Sequence, residues 1–160
     1  MTIKSITIYC SSSDKLSNKY YQDAEEISKL ISSFKIKIVY GGAKVGIMGV
    51  VAKTAKKYKN RVIGVIPNFL SEREIIFENL DDLKIVDNMS ERKKLLFEIG
   101  DAYLALPGGT GTLEEIVEIV SWKIMGIHNK PIIFFNKNNF WDNLFKPVSY
   151  THLRAHETNL

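Results

Sequence analysis

Two short apolar runs in this chain each end in a glycine-rich turn and restart as a helical pattern, and this constrains the fold more than any other feature. Residues 36–40 run into Gly41-Gly42-Ala43-Lys44-Val45-Gly46-Ile47-Met48-Gly49. Residues 101–106 run into Pro107-Gly108-Gly109-Thr110-Gly111-Thr112. After the second turn, Leu113, Ile116, Val117, Val120 and Ile124 recur at three- and four-residue spacing, which predicts one apolar stripe on a helix. Further strands are expected at 3–10, 61–66, 83–86 and 131–135, and helices at 18–34, 48–58 and 90–99, with a long connection over 68–79. Strands alternating with helices at this rhythm argue for βαβ units. The expected fold is therefore α/β: a Rossmann-like, doubly wound, mostly parallel sheet with helices on both faces.

In such sheets ligands bind at the carboxyl ends of strands, near a switch in strand order. The turns after Cys10, Tyr40 and Leu106 all fall at carboxyl ends and are expected to converge on one pocket. A glycine-rich turn before a helix leaves backbone N–H groups without helical partners, and with the helix dipole these suit a phosphate or carboxylate. The turn at 107–112 fits neither common nucleotide fingerprint. It lacks the third small residue of a dinucleotide site and the Gly-Lys-Ser/Thr of a Walker loop. Glu114 and Glu115 are expected in the first turn of the helix that follows. A carboxylate there adds nothing to phosphate binding, so the pair points to chemistry as well as binding. The plainer alternative is a capping box, with Thr112 and Glu115 in T-x-x-E spacing. For the turn at 41–49 the alternative is close helix–sheet packing.

A length of 160 residues suits one domain. The net charge of +4 comes from lysines scattered among acids, which describes a solvated surface and not a nucleic-acid groove. No apolar run approaches the roughly 20 residues that span a bilayer. The chain is expected to enter a strand almost at once, and no signal peptide is expected. A single cysteine, Cys10, permits no internal disulfide. These features lead to the expectation of a cytoplasmic enzyme without nucleic-acid or membrane partners.

Taken together, the motifs resemble the cytokinin-activating phosphoribohydrolases, the lonely guy (LOG) family, often labelled lysine decarboxylases. The family's P-G-G-x-G-T-x-x-E is complete from Pro107 to Glu115, and its M-x-E-R-K stands as Met89-Ser90-Glu91-Arg92-Lys93. Its Y-G-G-x-x-V-G-L-M-G appears at 40–49 with Ile47 in place of Leu. The matches at Trp122, Gly126-Ile127-His128, Lys130-Pro131-Ile132 and Asn136 extend the likeness over about residues 6–144. Two departures stand out: Ser11-Ser12-Ser13 follows Cys10 where C-G-S is usual, and Ser90 stands where His is frequent.

The resemblance implies hydrolysis of the N-glycosidic bond of adenosine 5′-monophosphate or its N6-prenylated form, releasing the base and ribose 5-phosphate. It implies Arg92 and Glu115 as the catalytic pair. Substrate contacts fall on Glu74, Arg92, Lys93, Gly109, Thr110, Gly111, Thr112, Leu113, Glu114, Glu115 and Ser121. It implies a homodimer, and neither metal nor organic cofactor. Positive charge develops on the sugar as the bond breaks, so a carboxylate can stabilise it or activate water. Arginine stays charged at neutral pH and suits fixing a phosphate or the glutamate. The alternative function is a non-catalytic nucleotide-binding or carrier protein of the same fold.

Other residues read more simply when taken alone. Arg92 and Lys93 would be a solvated helix face and Glu74 a loop charge, while Trp122 and the pair Phe134-Phe135 belong to the core. His128 reads as a cap or surface group. No lysine is marked as a pyridoxal phosphate site, so the decarboxylase label gains nothing from the residues. Residues 1–146 are expected to form one nucleotide-binding domain, shortened at its C-terminus. Pro147 should close the preceding helix. The stretch 147–160 is expected to be a foreign tail, with apolar surface left open near Phe140, Trp141 and Phe145.

Overall fold

A computed structural model describes residues 2–73 and 75–148, the last two by backbone alone. The elements in order are β1 (Ser5–Tyr9), α1 (Asn18–Ser33), β2 (Lys37–Tyr40), α2 (Gly46–Lys57), β3 (Val62–Pro67) and α3 (Asn68–Ser71). They continue with β4 (Asp82–Val86), α4 (Met89–Ile99), β5 (Ala102–Ala105), α5 (Thr110–Ile124), β6 (Ile132–Phe134) and α6 (Asp142–Val148). All six strands are parallel, in the order β4-β3-β2-β1-β5-β6. The chain winds outward from β1 to β4, then returns across β1 to lay down β5 and β6. The switch in order therefore falls between β1 and β5, which pair from Ile6 with Ala102 to Tyr9 with Ala105.

Strand alternation divides the core into two layers. Ile6, Ile8, Ile38, Tyr40 and Leu104 face Ala24 and Ile31 of α1 and Ile47, Val51 and Ala55 of α2. Tyr9, Val39, Ile63, Val65, Tyr103 and Ala105 face Leu96 of α4, Ile116 and Ile119 of α5, and Trp141. Polar groups tie down the amino ends of the strands. The Thr7 hydroxyl donates to the Leu96 carbonyl at 2.7 Å, and Asp101 accepts from the Lys4 and Ser5 amides. Lys130 closes α4 by donating to the Phe97 and Gly100 carbonyls. The carboxyl ends are left to loops.

Several local expectations change. The apolar stripe expected on α5 faces the core only in part: Ile116 is buried and Val120 half-buried, with Thr112 and Ile119 buried beside them, whereas Leu113, Val117 and Ile124 are 38%, 41% and 54% exposed. His128 is buried, not superficial. Its Nδ1 accepts from the Lys130 amide, so Nε2 carries the proton and donates to the Ile119 carbonyl at 2.9 Å. Phe97 and Tyr103 pack edge-on against its ring. Pro147 lies inside α6 and does not stop it. Trp141 is buried and Phe140 and Phe145 pack against the second core layer, so the open patch expected there is largely covered. The tail reading for 149–160 lies outside the described residues.

Candidate active site

The site forms where the topology predicts, above the gap between β1 and β5. Cys10 to Ser13 after β1, Met48 at the start of α2, Met89 and Arg92 of α4, and the turn and first turns of α5 line one cavity of about 330 Å³. That volume lies in the range of small-molecule pockets. The three carboxyl-end turns thus meet, as expected, but they contribute differently.

The turn after β2 spends its amides inside the protein. Gly46 N–H donates to Asp14 Oδ1 at 2.8 Å and Met48 N–H to the Ser11 carbonyl at 3.1 Å. Gly46 has a φ of +64°, and a Cβ there would lie 2.5 Å from the Ser12 carbonyl carbon, so the position requires glycine. Close packing accounts for this turn, with Met48 as its contribution to the cavity wall.

The turn after β5 is built the opposite way. Gly109 is the N-cap of α5, no side chain caps the helix, and its first turn holds no acid. The capping box that Thr112 and Glu115 offered as the plainer alternative is therefore absent: Thr112 is already helical, buried and packed over Gly108. Glu114 and Glu115 sit in the second turn, not the first. A capping interaction does occur at α4, where Asn88 Oδ1 accepts from the Glu91 amide and Glu91 accepts from the Asp87 amide. Helix α5 thus presents open N–H groups and the positive end of its dipole to the cavity. Nothing lies within 4 Å of where side chains on Gly109 and Gly111 would begin.

Arg92 is the residue whose surroundings differ most from a plain sequence reading. It is 6% exposed, not part of a solvated face. Its Nε donates to the Val65 carbonyl at 3.0 Å and its Nη2 to the Gly41 carbonyl at 3.2 Å, and Met89 Sδ lies 4.0 Å from Nη1. A Cβ on Gly41 would fall 2.4 Å from Nη2, so glycine there makes room for the guanidinium. Among the described residues Arg92 has no ion pair, so its charge is buried on neutral acceptors and turned toward the cavity. Glu115 lines the same cavity from α5. Burial pushes its carboxyl up to about 7, against the pull of Arg92 and Lys93 and with a further push from Glu114 and Glu118. A carboxyl poised near neutrality beside a fixed cation is suited to acid–base work.

The structure brings Arg92, Gly109, Thr110, Gly111, Thr112, Glu114 and Glu115 together around the cavity. It does not bring Lys93, Leu113 or Ser121 there. Lys93 is bound to Glu114 at 2.6 Å and Glu118 at 3.1 Å, and Leu113 and Ser121 are exposed on α5 outside the lining. Glu74 lies outside the described residues. Sequence reasoning missed Met48 and Met89 as wall residues and Glu118 as a partner of Lys93. Met89 stands three residues before Arg92 and Glu118 four after Glu114, so helical spacing was the available signal.

Comparison with known proteins adds a family. Residues 48–158 match the family described as "Possible lysine decarboxylase". The cytokinin riboside 5′-monophosphate phosphoribohydrolase of Rhodococcoides fascians is 40% identical over 93% of this chain and 76% of its own length. A probable enzyme of the same name from Arabidopsis thaliana is 38% identical over 88% of this chain and 70% of its own. Among solved structures, the molybdenum cofactor carrier protein of Chlamydomonas reinhardtii superposes with a TM-score of 0.73 at 20% identity, over 92% of this chain and 85% of its own. The molybdenum cofactor binding protein of Rippkaea orientalis gives 0.72 at 22%, over 94% and 86%. These structural likenesses speak for the α/β fold alone. Taken with the motifs at 40–49, 89–93 and 107–115, the sequence matches show that the chain belongs to the family described as "Possible lysine decarboxylase", the LOG family of cytokinin riboside 5′-monophosphate phosphoribohydrolases.

Proposed function

We propose that this protein hydrolyses the N-glycosidic bond of adenosine 5′-monophosphate or its N6-prenylated form, releasing the free base and ribose 5-phosphate. The observation that carries this is Glu115: a carboxyl held near neutrality beside the buried Arg92, in a cavity edged by an uncapped helix N-terminus. The names and identities of the relatives support the same reaction. The 5′-phosphate lies on the open amides of Gly109, Thr110, Gly111 and Thr112, anchoring the ribose in the cavity. Arg92 adds the fixed positive charge. Ionised Glu115 stabilises the cationic sugar as the base departs, takes a proton from the water that adds to C1′, and that proton passes to the departing base. Glu114 borders the substrate in a lesser role.

In this reading the protein is a cytoplasmic homodimer. The exposed apolar row of α5, from Leu113 to Ile124, supports the second part of that statement, because single helices seldom leave such a row to solvent. The rest of the substrate set, Glu74, Lys93, Leu113 and Ser121, rests on the family motif alone.

The test compares AMP with adenosine as substrate, following free adenine by chromatography. AMP is expected to yield adenine and ribose 5-phosphate, and adenosine to react at least 100-fold more slowly, since about 3 kcal/mol of phosphate binding is lost. Equal rates would remove the phosphate anchor.

A further inference from the structure

Lys93 and Glu118 lie outside the cavity lining, yet each is close along its helix to a charged residue of that lining. Lys93 follows Arg92 on α4, and Glu118 is one turn beyond Glu115 on α5. The Lys93 ammonium spans Glu114 Oε1 at 2.6 Å and Glu118 Oε2 at 3.1 Å. Among the described residues these are the only hydrogen bonds that join α4 to α5. Lys93 and Glu118 are 21% and 27% exposed, so the pair is sheltered, whereas Glu114 is 55% exposed.

We propose that Glu118 and Lys93 are positioning residues of this site: their bridge fixes the charge balance beside the Glu115 carboxyl and holds α4 and α5 so that Arg92 and Glu115 face one cavity. The groups that act on Glu115 are Arg92 and Lys93 from α4 and Glu114 and Glu118 from α5. At the end of β1 and just after it the neighbouring titratable groups are Tyr9 and Cys10, whose ionisation burial opposes first and Glu115 opposes further. With one lysine shared between two glutamates, the bridge carries a net negative charge. Removing Glu118 turns the balance toward the cation and favours ionised Glu115. Removing the Lys93 charge does the reverse.

The two ends of one bridge therefore have opposite effects, which a purely structural role cannot produce. The experiment follows the Glu115 carboxyl carbon by NMR titration of the uncomplexed protein for the parent, Glu118→Gln, Lys93→Met and Lys93→Arg. Glu118→Gln should lower the Glu115 midpoint by about half a pH unit, and Lys93→Met should raise it by a similar amount. Lys93→Arg, which keeps the charge, should stay close to the parent. Shifts of the same sign in Glu118→Gln and Lys93→Met, or no shift in either, would overturn the proposal. The kinetic counterpart rests on the proposed hydrolysis: the acidic limb of kcat/KM for AMP should move with the NMR midpoint in each variant. If the parent leaves AMP intact, the proposed reaction fails while the titration still decides the inference.

Discussion

Glu115 and Arg92 show how a buried charge can be kept for chemistry at the expense of stability. The Glu115 carboxyl binds its proton more tightly in the folded protein, at about 7, than at its ordinary value of 4.5. Its favourable contribution is therefore complete below about 4.5 and is lost as pH rises through 7. Glu115→Gln, always neutral, should be more stable than the parent at pH 8 by roughly 3 kcal/mol and nearly equal to it at pH 4, as read by urea unfolding. The same variant should lose about 100-fold or more in turnover of AMP while still binding it. For the parent, kcat/KM should climb with pH through about 7, because the ionised carboxylate is the working form. Arg92→Ala would strip the Val65 and Gly41 carbonyls of their partner, at a cost of about 1–3 kcal/mol, and should abolish AMP binding measured by calorimetry.

At the scale of the element, the two glycine-rich turns look alike in sequence and do opposite things. The α2 turn consumes its amides on Asp14 and Ser11, while the α5 turn leaves its amides to the cavity. Gly41→Ala places a methyl against the Arg92 guanidinium and the Met48 methyl, so it should impair AMP turnover far more than it lowers the melting temperature. Gly109→Ala meets nothing and should be mild in stability, with its effect confined to KM. Helix α5 carries function on one side and an apolar row on the other. Val117→Lys on that row should shift the protein to monomer in light scattering with sizing chromatography. A parent that is already monomeric would exclude the dimer.

Across the whole molecule, the six-stranded parallel sheet and the place of the site at its switch point follow from patterns a reader can see in the chain. Short β-branched runs, glycine turns at their ends and helical spacing between them are local signals, and they define βαβ units without any tertiary information. The motif residues Arg92, Glu115 and Gly109 to Thr112 were visible in the same way. What the chain by itself could not reveal was which face each helix turns inward. On α5, Leu113, Val117 and Ile124 share a spacing with Ile116 and Val120, but the buried face runs through Thr112, Ile116 and Ile119 and leaves those three outside. Nor could it reveal that Arg92 is buried, that His128 is locked between Lys130 and Ile119, or that Lys93 is drawn away to Glu114 and Glu118. Periodicity along a chain records which residues share a face. Desolvation and charge pairing depend on groups distant in sequence, so the protonation of Glu115 and the partners of Lys93 were decided only when α4 and α5 came to rest side by side on the sheet.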